Sequence, residues 1–265
     1  MGRLRVARGL LSWVLCYGAA FAQTATSSGA PPKVLLLVSQ QMLPGKAGER
    51  DKFELETCRK FDEFGIPIPW IEMEAVTGEP GALFFDPANS FEEMERAGQL
   101  LSEAYSAHPE LAQLQDEIEA RLASSKNILA VLRDDLGGGR DRIDLSKAHY
   151  LRITTVSVRP GHESDFEEAE KFRSRSQTNM AWAVYQVDSG AAAPTFLEIE
   201  ALRSLVDMDR KLTAKGTGEK EPKHLEQTVR DTYETVESNL YAIHPEMSHV
   251  PRGFAAGDPE FWGRK

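Results

Sequence analysis

VSVRPGHESDFEEAEKF, at residues 156–172, and VSQQMLPGKAGERDKFE, at residues 38–54, are two versions of one strand–turn–helix opening. In each, an apolar strand pattern runs into Pro-Gly, and helical spacing follows the turn. Three later blocks recur in the same order, and the offset between aligned residues stays between 112 and 116. These blocks are PWIEMEAVTG with AWAVYQVDSG, then Ser90, Met94 and Arg96 with Ser204, Met208 and Arg210, and finally NILAV with NLYAI. Four ordered matches predict an internal duplication.

The pattern inside each copy predicts the element order β-α-β-β-α-β. Apolar residues on both faces of the first strand, Val34–Met42, indicate a sheet that is covered on both sides. Phe53, Thr57, Phe61 and Phe64 fall at helical spacing after the Pro-Gly turn and predict the apolar stripe of the first helix. Two strands and a long helical region follow before the last strand, and the second copy repeats this order.

Local signals add detail to this plan. Ser90 followed by Glu93 forms a capping box and predicts the start of the second helix. Cys58, the one cysteine beyond the N-terminal segment, lies on the first helix and is expected to be a small buried hydrophobe. The recurring Asn127 and Asn239 are interpreted as turn or strand-entry residues.

The predicted fold class is α+β, with two ferredoxin-like βαββαβ repeats paired as an intramolecular pseudo-dimeric α+β barrel. A four-stranded sheet of this type has helices on one face only, so a second copy is the simplest cover for the other face. The predicted boundaries are repeat 1 at 33–133, repeat 2 at 149–246, a flexible Gly-rich linker at 134–148, and a C-terminal tail at 247–265. Three tail aromatics are expected to pack on the domain: Phe254, Phe261 and Trp262.

The N-terminus has the pattern of a secretory signal peptide at 1–22. Three arginines precede an apolar run, and Ala20-Phe21-Ala22 supplies small residues for cleavage before Gln23. The sequence therefore predicts an exported protein, periplasmic or secreted, with a flexible leader at 23–32.

Charge limits the partners of the protein. Loss of the three signal arginines would move the formal net charge from -10 to -13. An acidic chain without a basic cluster is not expected to bind nucleic acid or, after signal cleavage, an anionic membrane. Beyond the internal pairing of the two repeats, the sequence leaves homo-oligomerisation open.

The two Pro-Gly openings, together with the repeat over residues 33–249, resemble the dimeric α+β barrel superfamily. This ferredoxin-like group includes antibiotic-biosynthesis monooxygenases and NIPSNAP-like proteins. The resemblance implies the barrel fold but no single reaction, because its members include cofactor-independent oxygenases, isomerases, haem-binding enzymes and proteins without known activity.

Four residues are candidates for binding a small apolar or aromatic ligand: Trp70, Trp182, Tyr185 and Glu198. The two tryptophans occupy equivalent strand positions, and an indole offers both a flat stacking surface and one hydrogen-bond donor. Because both copies keep a tryptophan there, the sequence favours a structural role for the pair over a ligand contact.

His244 and Arg152 are the candidates for acid–base chemistry. Each could place a polar group on a largely apolar sheet, and histidine titrates near neutral pH. An internal polar pair or a solvent-exposed strand edge is the alternative for both residues.

No metal site and no cofactor site is predicted. His162 and Glu163 are interpreted as part of a helix start, where acidic residues complement the helix dipole. Three functions stay open: a protein that binds a small apolar or aromatic ligand in or beside the barrel, a cofactor-independent monooxygenase or isomerase, and a structural envelope protein without a ligand.

Overall fold

The elements of the chain follow the predicted order in both repeats. The structure of the protein is a computed structural model that describes residues 29–177, 179–209 and 231–263. Repeat 1 consists of β1 Val34–Met42, α1 Ala47–Phe64, β2 Ile71–Ala75, β3 Ala82–Ala88, α2 Phe91–Ala107, α3 Pro109–Glu119 and β4 Leu122–Leu132. Repeat 2 consists of β5 Tyr150–Val158, α4 Glu163–Ser176, β6 Ala183–Ser189, β7 Thr195–Leu202 and β8 Tyr233–Ile243. Two short helices close the tail: α5 Arg252–Ala255 and α6 Pro259–Trp262.

Parts of the predicted plan lie outside the described residues. These are the predicted signal peptide, most of the predicted leader, and the charged stretch at 213–223 between β7 and β8. A helix begins at Val206, within the described residues that precede this stretch. None of the helices within the described ranges is long and apolar enough to cross a membrane.

All eight strands form one closed antiparallel barrel in the order β1-β3-β2-β8-β5-β7-β6-β4. Each repeat contributes four consecutive strands, and the repeats meet at two seams, β2 with β8 and β4 with β6. The predicted pseudo-dimeric α+β barrel is therefore confirmed. Because neighbouring strands alternate in direction, β1 and β5 run the same way. The barrel therefore has two distinct ends. The end where β1 and β5 begin is here named the closed end, and the end where they finish is named the open end.

Apolar side chains from every strand fill the middle of the barrel. Strand alternation sends every second residue inward, and the inward side chains form one buried cluster. One member from each strand, in chain order, is Leu35, Met73, Phe85, Ala130, Leu151, Tyr185, Leu197 and Ile243.

The C-terminal tail packs against this cluster at the closed end. Phe254, Phe261 and Trp262 are buried in it. The indole Nε1 of Trp262 donates a hydrogen bond to the carbonyl oxygen of Ser146 at 2.7 Å, so the tail and the segment between the repeats hold each other in place.

The segment 134–148 is packed, which corrects the expectation of a flexible linker. Gly138 pairs with Trp182 in an isolated antiparallel bridge, and Leu136 is buried beside the same indole. At Gly137 the backbone has φ +83°, and a Cβ there would lie 2.5 Å from the carbonyl oxygen of Trp182. The glycines allow close approach of two backbone segments instead of providing mobility.

The interpretation of Asn127 and Asn239 was wrong. Both lie inside strands, and they are not equivalent to each other, because Leu37 pairs with Ile128 while the matching Ile153 pairs with Asn239. Asn239 therefore corresponds to Ile128 and faces inward. The structural correspondence is shifted by one residue from the alignment of NILAV with NLYAI.

The helix signals are confirmed at α2 and revised at α1. The Ser90 hydroxyl accepts from the Glu93 backbone N–H at 3.1 Å, which is half of the predicted capping box, and Cys58 is buried. The sheet-facing stripe of α1, however, begins with two charged residues that the sequence interpretation left out, Arg50 and Glu54.

Candidate functional site at the open end of the barrel

A cavity of about 330 Å³ opens at the open end of the barrel. Four neighbouring strands, β1, β3, β2 and β8, supply its wall. The polar residues that line it are Ser39, Gln41, Glu79, Glu237, Asn239 and Tyr241.

Strand alternation explains why these side chains meet. On β1, the inward positions after Leu35 and Leu37 are Ser39 and Gln41. On β8, the inward positions before Ile243 are Tyr241, Asn239 and Glu237 in reverse chain order. The same inward face therefore changes from apolar in the middle of the barrel to polar at its open end.

Two amide–carboxylate pairs organise the cavity. The Gln41 side-chain amide donates to Glu79, and its oxygen accepts from the Ser124 hydroxyl at 3.0 Å. The Asn239 amide donates to Glu237 at 2.8 Å. Neither carboxylate forms an ion pair with any cationic side chain in the described part of the chain.

The phenol of Tyr241 lies at the inner edge of the cavity. Its ring packs against the barrel core, and partial burial raises the pKa of the phenol, with a further contribution from the negative charge of Glu237. The phenol therefore stays protonated at neutral pH and can donate a hydrogen bond to a molecule in the cavity.

The two repeats differ at the open end. By strand register and repeat offset, the residues of repeat 2 that correspond to Gln41 and Glu79 are Ser157 and Ala191. The residues of β4 that correspond to Glu237, Asn239 and Tyr241 of β8 are Lys126, Ile128 and Ala130. One wall of the barrel mouth thus carries two carboxylates, two amides and a phenol, where the sister wall has none of these groups.

Three of the residues predicted from the sequence lie together on the outer face of repeat 2, beneath α4. The Trp182 Nε1–H donates to Glu170 at 2.9 Å, and the guanidinium of Arg173 lies 4.3 Å from the indole centre. Glu198 accepts from Arg173 at 2.8 Å. Arg152 forms an ion pair with Glu200 on the neighbouring strand. All of these groups have protein partners, and none lines the cavity at the open end.

The other three predicted residues lie apart from one another. Trp70 is buried beneath α1, where its Nε1–H donates to the carbonyl of Met247 at 2.9 Å. Tyr185 is inside the barrel, and its hydroxyl donates to the carbonyl of Pro32 at 2.8 Å. His244 follows β8 and is half-buried, with Nε2 at 3.5 Å from a carboxylate oxygen of Glu74. The six candidates therefore do not form a single site.

Repeat 1 has its own buried polar cluster beneath α1. Arg50 is fully buried and contacts Glu72 at 2.8 Å and Glu54 at 3.1 Å, and it also donates to Gln40 at 3.3 Å. Burial raises the pKa of Glu72 to about 7, although the Arg50 guanidinium opposes this shift. In repeat 2, burial raises the pKa of Glu170 to about 7 in the same way. The carboxylates of both clusters are buried between helix and sheet.

No group of three His, Cys, Asp or Glu side chains within the described ranges is arranged to hold a metal ion. The carboxylates of the cavity are bonded to amides, an arrangement that suits hydrogen bonding to an organic molecule.

Comparisons with known proteins give information on the fold. No protein-family model matches the sequence, and no curated protein matches it as a relative. A solved structure from Fusobacterium nucleatum subsp. nucleatum, described as a candidate monooxygenase, superimposes with a TM-score of 0.53 at 12% identity, covering 81% of this chain and 93% of that chain. A protein described as anthrone oxidase-like superimposes with a TM-score of 0.51 at 14% identity, covering 82% and 93%. The chain has the dimeric α+β barrel fold. At such low identity the likeness extends to the fold and not to a reaction.

Proposed function

We propose that the protein binds a small molecule in the cavity at the open end of the barrel. The observation that carries this proposal is the one-sided divergence of the duplication. The polar groups converge on one wall of the mouth, and the corresponding positions of the other wall lack them. Convergent polar groups in a concave site at the mouth of a β-barrel are typical of ligand binding.

The interior of the barrel does not serve as the binding space in this proposal, because apolar side chains from all eight strands fill it. An apolar or aromatic ligand was expected from the sequence, but the cavity offers carboxylates, amides and the phenol of Tyr241. Its ligand is therefore a molecule with hydrogen-bond donors. An oxygenase or isomerase activity is supported only by the shared fold, which hosts several chemistries, so binding is the function proposed.

The experiment compares a cavity-filling variant with a control on the outside of the same barrel. Ala75 lines the cavity, so Ala75→Phe places a ring in it, whereas Val236→Phe adds a ring to an exposed position of β8. Ligand-observed NMR with a panel of small amines, amides, alcohols and carboxylates measures binding. We expect at least one probe class to bind the wild type and Val236→Phe, and to bind Ala75→Phe at least tenfold more weakly. Equal binding to all three proteins, or no binding to any, would overturn the proposal.

We also propose that the protein is exported. The support is the charged, apolar and small-residue pattern of residues 1–22, which lie outside the described residues. Intact mass measurement of protein made in its own host tests this proposal: a chain that begins at Gln23 agrees with it, and a chain that keeps the arginine-rich segment contradicts it. The acidic cavity could bind its ligand equally well outside the cytoplasm or inside it. The proposals of ligand binding and of export are therefore independent.

A further inference from the structure

A second, apolar groove lies beside the cavity at the open end. It has a volume of about 480 Å³ and is formed by the β1–α1 turn, the β2–β3 hairpin and the start of β4. Its apolar lining consists of Met42, Leu43, Pro44, Pro80 and Ala123. Leu43 is 40% exposed, and its side chain forms part of the groove.

The groove and the cavity are one continuous surface. Gln41 and Glu79 line both of them, and the hydrogen bond between these two side chains marks the boundary. A molecule with one end beside Glu237 and Glu79 therefore has an adjoining apolar surface on which its other end can lie. The acidic part and the apolar part of this surface meet at the Gln41–Glu79 pair.

Resting on the function proposed above, we propose that the open end of the barrel binds a small cationic amphiphile, of which a primary alkylamine is the simplest example. The ammonium group lies among the carboxylates of Glu79 and Glu237, and the alkyl chain lies in the groove against Leu43.

Charge complementarity selects the head group. The two carboxylates are bonded to amides and form no ion pair within the described residues, so an ammonium group supplies the missing positive charge and donates hydrogen bonds to carboxylate oxygens. A carboxylate head would be repelled, and a hydroxyl head would gain hydrogen bonds without the charge. Tyr241 can add one hydrogen bond only to a head group that also accepts, such as an amino alcohol.

The groove selects the tail. Each methylene that becomes fully buried raises affinity about fourfold, and the groove is open on one side, so we expect a gain of about two- to threefold per methylene. The gain ends when the chain exceeds the length of the groove.

The experiment uses three series of equal chain length, from butyl to octyl: n-alkylamines, n-alcohols and n-carboxylates, measured by isothermal titration calorimetry on the full-length protein. We expect the amines to bind at least tenfold more tightly than alcohols of equal length, the carboxylates to bind most weakly, and amine affinity to rise about two- to threefold per methylene.

Two variants separate the head from the tail. Glu237→Gln should lower the affinity for amines to about that for alcohols of equal length, while affinity still rises with chain length. Leu43→Ser should reduce the rise of affinity with chain length, while amines still bind more tightly than alcohols of equal length. Glu234→Gln and Val236→Ser change exposed positions of β8 outside the cavity and serve as controls that behave like the wild type.

The outcomes distinguish this inference from the proposal on which it rests. If short amines bind and Ala75→Phe blocks them, but affinity is independent of chain length, then the cavity binds a ligand and the amphiphile inference is wrong. Equal affinity of amines and alcohols in the wild type would also overturn it. If no probe binds at the open end, both proposals fail.

Discussion

The two repeats share one backbone plan but fill the layer between helix and sheet with different residues. In repeat 1 a helical arginine, Arg50, forms ion pairs with Glu54 on the same helix and with Glu72 on β2. In repeat 2 Arg173 on α4 forms ion pairs with Glu170 on the same helix and with Glu198 on β7. Only Glu54 and Glu170 occupy matching positions.

The difference shows what a duplication retains. Each half keeps an arginine placed between a helical carboxylate and a strand carboxylate, although the arginine and the strand carboxylate come from different positions. A buried carboxylate is costly without a cation, so each half retains an arginine beside its buried carboxylates while the positions that provide these groups change. The open end shows the opposite case, because the two walls differ in character there and the polar groups of the candidate site lie on one of them.

The largest expected effect comes from removing the arginine of repeat 1. Arg50→Met leaves Glu54 and Glu72 buried without a cation, and we expect the free energy of unfolding at pH 8 to fall by about 4 kcal/mol. Arg173→Met should cost about half as much, because the side chain of Arg173 is 30% exposed whereas that of Arg50 is fully buried. Urea denaturation measures both.

The matched control for these two variants is Arg59→Met, which removes an exposed arginine from the same helix as Arg50. It should change the free energy of unfolding by less than about 0.5 kcal/mol. A loss at Arg173 that equals or exceeds the loss at Arg50 would show that burial is not what distinguishes the two clusters.

The next effect is on the pH dependence of stability. Burial raises the pKa of Glu72 from 4.5 to about 7, so between these pH values the folded protein holds a proton that the unfolded chain releases. Stability therefore falls as the pH rises through this window, by up to about 3 kcal/mol from this group. Glu72→Gln should remove the pH dependence of stability that comes from Glu72 and leave the part that comes from Glu170. Glu103→Gln changes an exposed position of α2 and should leave the pH dependence of stability unchanged. Urea midpoints from pH 5 to pH 8 test this, and identical profiles for Glu72→Gln and the wild type would contradict it.

The smallest effect has opposite signs in the two repeats. Asp86 on β3 pairs with Leu36 in the strand register, whereas the corresponding residue Glu200 on β7 pairs with Arg152. Burial raises the pKa of Asp86 to about 7, and no cationic side chain within the described ranges offsets this effect. Asp86→Asn should therefore raise stability at pH 8 by about 1 kcal/mol, while Glu200→Gln should lower it by about 1 kcal/mol, because Arg152 loses its partner. Thermal unfolding at pH 8 measures both, and a loss of stability in both variants would show that Asp86 has a favourable partner.

The sequence predicted the barrel because its signals are local and occur twice. The Pro-Gly turns, the strands with two apolar faces and the recurring blocks can all be recognised without knowing the fold. Arg50 and Glu54 were missed because charged residues on a helix are usually solvent-exposed. Their spacing from Thr57 and Phe61 nevertheless puts them on the buried stripe, which is a signal that the sequence contains.

The candidate site was missed for a different reason. Its side chains come from strands that are distant in sequence, and both faces of each strand are covered, so alternation does not show which face is the inside of the barrel. Arg152 and Glu198 face the helices, and Gln41 and Asn239 face the cavity, yet all four are polar residues on apolar strands. The available signal was the change from Leu35 and Leu37 to polar residues along one face of β1.

The seams between the repeats have a consequence for assembly. At the seams, β2 pairs with β8 only over residues 73–75 and β4 pairs with β6 only over residues 129–132, whereas β1 and β4 pair along the whole of β1. The surfaces that join the halves of one chain are equally complementary between the halves of two chains. What keeps the pairing within one chain is proximity: the packed connection, held through Gly138 and Trp182, keeps the second repeat at a high effective concentration beside the first. Loosening that connection would favour exchange of halves between molecules, which is the domain-swapped dimer of this fold.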